Sequence, residues 1–252
     1  MRIEISGTHF PLRTLGPGRR LGVWFQGCPL ACAGCMSRHT WEAGAGRSTT
    51  VVELLDLWRE ALSAGAEGLT VSGGEPLEQA DGLAEFLAGA DRLRREAAGD
   101  PTGSPAGGPA AGAGEGYGPG RPGGTRPGPY PDLLVYTGYE EEEWGPERLR
   151  ALRHADAVVA GRFRIAEPTA LVWRGSENQR LLPRTLLGLA RYAPYLRERA
   201  TGPAVQVVVE PGAPGRGPSA HLLGVPSRGE LAFYERWSGE RGLRLRERSW
   251  RP

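Results

Sequence analysis

"GCPLACAGC", residues Gly27–Cys35, holds all three cysteines of a chain of 252 residues. Cys28, Cys32 and Cys35 follow the spacing C-x3-C-x2-C, and Gly27, Pro29 and Gly34 make the loop compact enough for three sulfurs to converge. Soft thiolates select iron–sulfur clusters, Zn²⁺ or Cu(I). A structural [4Fe–4S] cluster takes four cysteines, one per iron. Three leave one iron to something other than a cysteine, and an open metal position is a mark of catalysis. The competing reading is zinc: His39, four residues after Cys35, makes a Cys3His site chemically possible. Zinc knots usually use paired C-x2-C units, whereas this spacing is compact and asymmetric.

Bulk properties narrow the rest. The formal net charge of +2 gives no reason to expect nucleic acid or a membrane surface as partner. Every basic residue is Arg. No apolar run approaches the ~20 residues that span a bilayer. The opening "MRIEISGTHF" lacks a signal peptide's apolar stretch, so the expected location is the cytoplasm, where clustered cysteines mean metal or redox chemistry rather than disulfides.

Around the loop, Arg2–Ser6 and Leu21–Gln26 read as strands, with turn chemistry at Gly16–Arg20 between them. Thr50 and Glu53 make a capping-box pattern, after which Val51, Leu54, Leu55, Trp58, Ala61 and Leu62 share one helical face. Leu69–Ser72 is the next strand, and Leu77, Ala80, Ala84, Leu87 and Leu93 mark a second amphipathic helix. Strands at Leu133–Thr137 and Ala157–Gly161 flank a helix at Pro146–Arg153. Strands alternating with helices imply an α/β fold of parallel βαβ units. The Gly/Pro-rich stretch 98–131 has no apolar period and reads as a disordered insertion. Val205–Pro252 holds a strand, "VQVVVE", a proline-rich loop, a helix opened by Ser227 and Glu230, and the Arg-alternating "LRLRERSW". The expected division is 1–97 with 132–195 as one α/β unit, 98–131 as an insertion, and 196–252 as an extension of unassigned role.

In parallel α/β architectures ligands gather at the C-terminal ends of the strands. The Cys loop follows one strand, "GGEP" (Gly73–Pro76) the next, "GYEEEE" the third and "GRF" (Gly161–Phe163) the fourth. Chain order alone predicts four loops on a shared rim. At Ser72, Gly73 and Gly74 a strand ends in a backbone that a ligand can approach closely, and Glu75 adds negative charge. A carbonyl edge beside a carboxylate suits an ammonium group; a turn leading into a helix explains the same residues without a ligand.

Other polar groups carry double readings. Thr137, Gly138 and Tyr139 contact a ribose, line an entry, or form a strand-terminal turn. Arg174, Ser176, Asn178 and Gln179 are a functional set or a hydrogen-bonded scaffold. Glu140–Glu143 reads as a solvated face near a helix start, and Arg241–Arg251 as an exposed alternating run. His9, His154 and His221 have no sequence neighbours that suggest a site, and no G-x-S-x-G hydrolase elbow occurs.

With these residues in view, the chain resembles the radical S-adenosylmethionine superfamily, and within it the activating enzymes of anaerobic ribonucleotide reductases. Gly16–Cys35, Ser72–Leu77, Val135–Tyr139 and Asp156–Arg180 carry the resemblance. It implies a partial (β/α) barrel, a [4Fe–4S] cluster on Cys28, Cys32 and Cys35, and S-adenosylmethionine on the fourth iron. Gly73, Gly74 and Glu75 would meet the methionine ammonium and the backbone of Gly34, Cys35 and Met36 the adenine, with Ser72 and Thr137 counted among the cofactor-binding residues. The implied partners are a glycyl radical enzyme as protein substrate and a flavodoxin- or ferredoxin-like reductant. A peptide or small-molecule substrate is an alternative target, and a non-catalytic metal-binding module an alternative class. The chain departs from many members in having Gly34 before the third cysteine and Met36 after it.

Overall fold

The computed structural model describes residues 1–99, 130–201, 204–210, 219–227 and 229–242. Most of the Gly/Pro-rich stretch and the Arg-alternating end from Leu243 lie outside the described residues.

The elements are β1 (Arg2–Leu12), β2 (Arg20–Phe25), β3 (Arg47–Thr50), α1 (Val51–Ser63), β4 (Gly68–Gly73), α2 (Ala80–Ala97), β5 (Asp132–Thr137), α3 (Pro146–Ala151), β6 (Ala157–Ala160), β7 (Arg180–Pro183), α4 (Leu186–Tyr192), β8 (Val205–Glu210), β9 (Ser219–Gly224) and α5 (Glu230–Glu240). Among the described residues, seven strands form one sheet in the order β3-β1-β2-β4-β5-β6-β7. The four central strands, β2, β4, β5 and β6, run parallel. Antiparallel β1, β3 and β7 extend both edges. The fold is thus α/β with a parallel centre, as the alternation of strands and helices implied. β3, β7, β9 and α4 had no legible signal of their own. "VQVVVE" is a strand, but it pairs with β9 in a separate two-stranded sheet.

Each βα unit packs its helix on one face of the sheet. Leu21, Val23 and Phe25 of β2, Leu69 and Val71 of β4, and Leu133 and Val135 of β5 point to that face. There they meet Leu54 and Trp58 of α1 and Leu83, Phe86 and Leu87 of α2 in one core. The capping box at α1 forms as expected: Glu53 N donates to Thr50 Oγ1 and Thr50 N to Glu53 Oε2, at 3.2 and 2.7 Å. Trp58, fully buried, donates its indole N–H to Ala90 O across to α2 at 3.1 Å.

The opposite face of the sheet begins with charge. At the N-terminal ends of the parallel strands the Arg20 guanidinium donates to both Asp132 oxygens, at 2.6 and 3.1 Å, and to Thr70 Oγ1 and Leu69 O. Arg191 pairs with the same carboxylate at 2.9 Å, and the Tyr192 hydroxyl also donates to it. Arg20 and Asp132 are fully buried. Gly68 opens the space, since a Cβ there would stand 2.3 Å from Arg20 Nη1. A second network ties α2 to β6: Arg94 pairs with Asp91 and Asp156, and Asp156 accepts from Leu133 N and Thr185 Oγ1. His154 joins it through Asp91 at 3.1 Å. No helix among the described residues is long and apolar enough to cross a membrane.

Breaking a buried ion pair from one side strands the other charge, which costs about 3–5 kcal/mol. Asp132→Ala, which strands Arg20, is therefore expected to lower unfolding free energy by about that amount in urea titration, whereas truncating the exposed Arg59–Asp56 pair should be nearly silent.

Candidate functional site

Because β2, β4, β5 and β6 are parallel neighbours, the loops that follow them emerge at one end of the sheet. The Cys loop is closed at its base. Gly27 N donates to Thr40 O at 2.8 Å and Cys28 N to Trp41 O at 2.9 Å. The buried Gln26 carboxamide clamps the returning chain, donating to His39 O at 3.0 Å and Glu42 O at 2.8 Å. Gln79 in turn donates to Gln26 O and Glu4 O at 3.0 and 2.9 Å.

Each sulfur of the loop faces a backbone N–H. Ser37 N approaches Cys35 Sγ at 3.4 Å. Burial pushes the Cys28 thiol up, opposed by the N–H groups of Leu30 and Ala31. Burial likewise pushes the Cys32 thiol up, opposed by the Phe163 N–H and the Arg162 guanidinium. All three thiols are partly exposed at the rim. Among the described residues no group of three or more His, Cys, Asp or Glu side chains could hold a single metal ion. A cubane spreads its thiolates over separate irons, and N–H groups aimed at its sulfurs tune it. The donor set fits a cluster.

The strand-end loop after β4 is pressed against the Cys loop. Gly74 N donates to Phe25 O and Glu75 N to Gly27 O, both at 2.8 Å. A Cβ at Gly74 would stand 2.3 Å from Gly27 O, so only glycine admits this approach. The Glu75 side chain is fully buried. Its carboxylate accepts from Leu77 N, Thr137 Oγ1 and Gly138 N at 3.0, 2.8 and 2.7 Å. Burial raises its pKa to about 7, against the pull of those donors. Thr137 Oγ1 also accepts from Tyr139 N at 3.1 Å. Glu75 therefore joins the loops after β4 and β5, a role the sequence did not suggest. Ser72 and Met36 are half-buried, and Gly34 is exposed beside Ile165.

The outer rim corrects one expectation. Glu140–Glu143 is not a merely solvated face. Glu143 forms a two-pronged pair with Arg162, at 2.5 and 2.7 Å, which holds its carboxyl down at about 2. Glu141 pairs with Arg180 at 2.6 Å and Glu140 with Arg164 at 3.4 Å. "RGSENQ" resolves as a scaffold. Gln179 bonds Gly175 N and Gly161 O, Asn178 donates to Arg162 O, and Ser176 Oγ accepts from Arg164 N. Arg174 donates to Val172 O, Tyr195 O and Leu196 O. The scaffold fixes the "GRF" loop, and with it the N–H and guanidinium at Cys32. Chain order placed the "GRF" loop on the rim, but not the Phe163 N–H and Arg162 guanidinium at Cys32, nor the Gln26 clamp; a backbone donor and a loop clamp leave no residue-type signature.

A protein family described as a 4Fe-4S single cluster domain matches residues 14–99. The chain is 28% identical over 175 residues to the anaerobic ribonucleoside-triphosphate reductase-activating protein of Enterobacteria phage T4, covering 68% of this chain and 87% of that one. The Salmonella typhi protein of the same name is 27% identical over 172 residues, at 65% and 88% coverage. The pyruvate formate-lyase-activating enzyme of Listeria monocytogenes is 43% identical over 91 residues, 33% of this chain and 37% of that one. Among solved structures, QueE from Escherichia coli aligns with a TM-score of 0.36 and 15% identity, covering 66% and 74%.

Glu75→Ala leaves three buried donors unmet and is expected to cost about 3 kcal/mol; Glu75→Gln keeps an acceptor and should cost less. The raised pKa adds a sign. Between the ordinary carboxyl value of 4.5 and about 7, the folded state keeps a proton that the unfolded chain has lost. In the metal-free protein this contribution to stability is full below that window and lost as pH rises through it. Denaturation of wild type and Glu75→Gln across that range should show the slope in wild type alone.

Proposed function

We propose that this chain is a radical S-adenosylmethionine enzyme of the activating type, which installs a glycyl radical on a partner protein. One observation carries the reading: three N–H-supported thiols stand on a rim against a buried Gly-Gly-Glu loop, in a chain alignable with most of a reductase-activating protein. Cys28, Cys32 and Cys35 would hold the cluster, which would supply the electron for reductive cleavage of S-adenosylmethionine, the chemistry that hydrogen abstraction from a glycine of the partner requires.

The protein's part is to bind, orient and shield. Cys28, Cys32 and Cys35 would hold three irons and leave the fourth for the nucleotide. The strand-end backbone of Ser72–Gly74, held in place by the buried Glu75, suits the methionine ammonium. We assign the backbone of Gly34, Cys35 and Met36 to the adenine and Thr137 to the ribose side. The Phe163 N–H and Arg162 beside Cys32 favour the thiolate form that ligation requires. A flavodoxin- or ferredoxin-like protein is the proposed reductant, and the cytoplasm the proposed location.

The anaerobically purified protein is expected to be brown, with about four irons per chain. Cys32→Ala should be colourless, and reduced wild type should release 5′-deoxyadenosine from S-adenosylmethionine. A colourless wild type with stoichiometric zinc would overturn the proposal. An intact cluster whose electron paramagnetic resonance ignores added S-adenosylmethionine would do the same.

A further inference from the structure

The Cys loop offers no large apolar side chain to solvent. Its exposed residues are Pro29, Ala31, Ala33 and Gly34. Leu30 is turned inward, packed on the core and lying so close to Gly138 that a Cβ there would collide with Leu30 Cδ1. Among the described residues, the exposed large hydrophobic side chains sit on α1, α3, α4, α5 and β8 or at Met1, with one exception. Ile165, 61% exposed, lies in the loop after β6, on the same rim as the thiols.

A lone exposed isoleucine is ordinary on a protein surface. This one is pinned against the backbone between Cys32 and Cys35. A Cβ on Gly34 would collide with Ile165 Cδ1 and stand 3.2 Å from Ile165 Cβ and Cγ1. Gly34 also has a φ of +76°, which L side chains rarely adopt. Backbone and space thus both bar a side chain before the third cysteine, and the loop after β6 sets an isoleucine where one would stand. The placement is held from both sides. Phe163, two residues earlier, turns its N–H to Cys32. Arg164 N donates to Ser176 Oγ at 3.1 Å, Glu167 N to Arg164 O at 2.9 Å and Glu177 N to Glu167 O at 2.8 Å. The "RGSENQ" scaffold therefore fixes the turn that carries Ile165 as well as the N–H at Cys32.

We propose that Ile165 is the apolar face of the base subsite, the surface on which the purine ring of S-adenosylmethionine lies. The identity of the ligand rests on the proposed function; the position of the isoleucine rests on the packing. The methionine end of that ligand is charged, and the fourth iron and the Ser72–Gly74 backbone are its partners. The purine is planar and uncharged, and a ring of that kind is held by an apolar surface together with a few polar groups at its edge. Ile165 supplies the surface. The backbone of Gly34, Cys35 and Met36 beside it is left for the edge.

The test uses the full chain, cluster-loaded and kept oxidised so that no turnover intervenes. Equilibrium dialysis gives the dissociation constant of labelled S-adenosylmethionine for wild type, Ile165→Ala, Ile165→Asp and Ile165→Leu. Removing the methylene surface should weaken binding about tenfold in Ile165→Ala. Ile165→Asp should lose more, and Ile165→Leu, with an apolar side chain of the same size, should stay within about twofold of wild type. Iron content, and the electron paramagnetic resonance of the reduced cluster without nucleotide, should match wild type in all three. Unchanged binding in Ile165→Ala overturns the inference. So does lost iron or an altered nucleotide-free spectrum in Ile165→Ala, because Ile165 then supports the Cys loop and not the base. A wild type that holds its cluster yet binds no S-adenosylmethionine overturns the proposed function, and the base subsite with it.

Discussion

The site depends on a contact between two backbones. Glu75 N and Gly74 N reach the carbonyls of Gly27 and Phe25 at 2.8 Å, and a Cβ at Gly74 would collide with Gly27 O. That contact sets the height of the Gly-Gly-Glu loop against the cysteines. It also carries Glu75 into the interior, where its carboxylate collects donors from its own loop and from the loop after β5. Three consecutive rim loops are thereby joined through one residue, the Cys loop by the Glu75 backbone and the loop after β5 by its side chain.

The two ends of the sheet use polar groups differently. At the N-terminal end, Arg20 and Asp132 are buried and met on all sides by Thr70, Tyr192, Arg191 and backbone carbonyls. Such a network is worth little against an apolar packing of the same volume, but it penalises every arrangement that leaves a charge unpaired. At the C-terminal end the polar groups face outward, the thiols are partly exposed, and the ion pairs of Glu140–Glu143 are at the surface. The rigid end holds register; the open end is available for chemistry. The pairs at the open end serve placement more than stability, since exposed pairs are worth at most about 1 kcal/mol. Glu143 holds Arg162, and Asn178 and Gln179 hold the backbone that presents the Phe163 N–H.

Much of this was legible in the chain itself. Cysteine spacing names soft-metal chemistry because few other uses require three thiols within eight residues, Cys28–Cys35. Strand–helix alternation forces parallel pairing, and parallel pairing brings successive loops to one rim. The capping box at Thr50 and the buried stripe of α1 follow from local periodicity. Each of these signals lies within a few residues, so reading it needs no knowledge of the fold.

What only the tertiary structure decided is every relation between distant residues. "EEEE" and "GRF" are unremarkable apart, and become one support when Glu143 meets Arg162. Glu75 reads as a ligand-facing charge, yet burial and three donors make it a joint between loops. "VQVVVE" reads as a strand in an extension of unassigned role, with nothing in the sequence to name its partner. In the structure it pairs with antiparallel β9 in a separate two-stranded sheet, tied to the end of β1 by Gln206 at His9 and Pro11. Local composition dictates which elements form and what chemistry they carry; which surfaces remain open is settled by how those elements exclude one another in space.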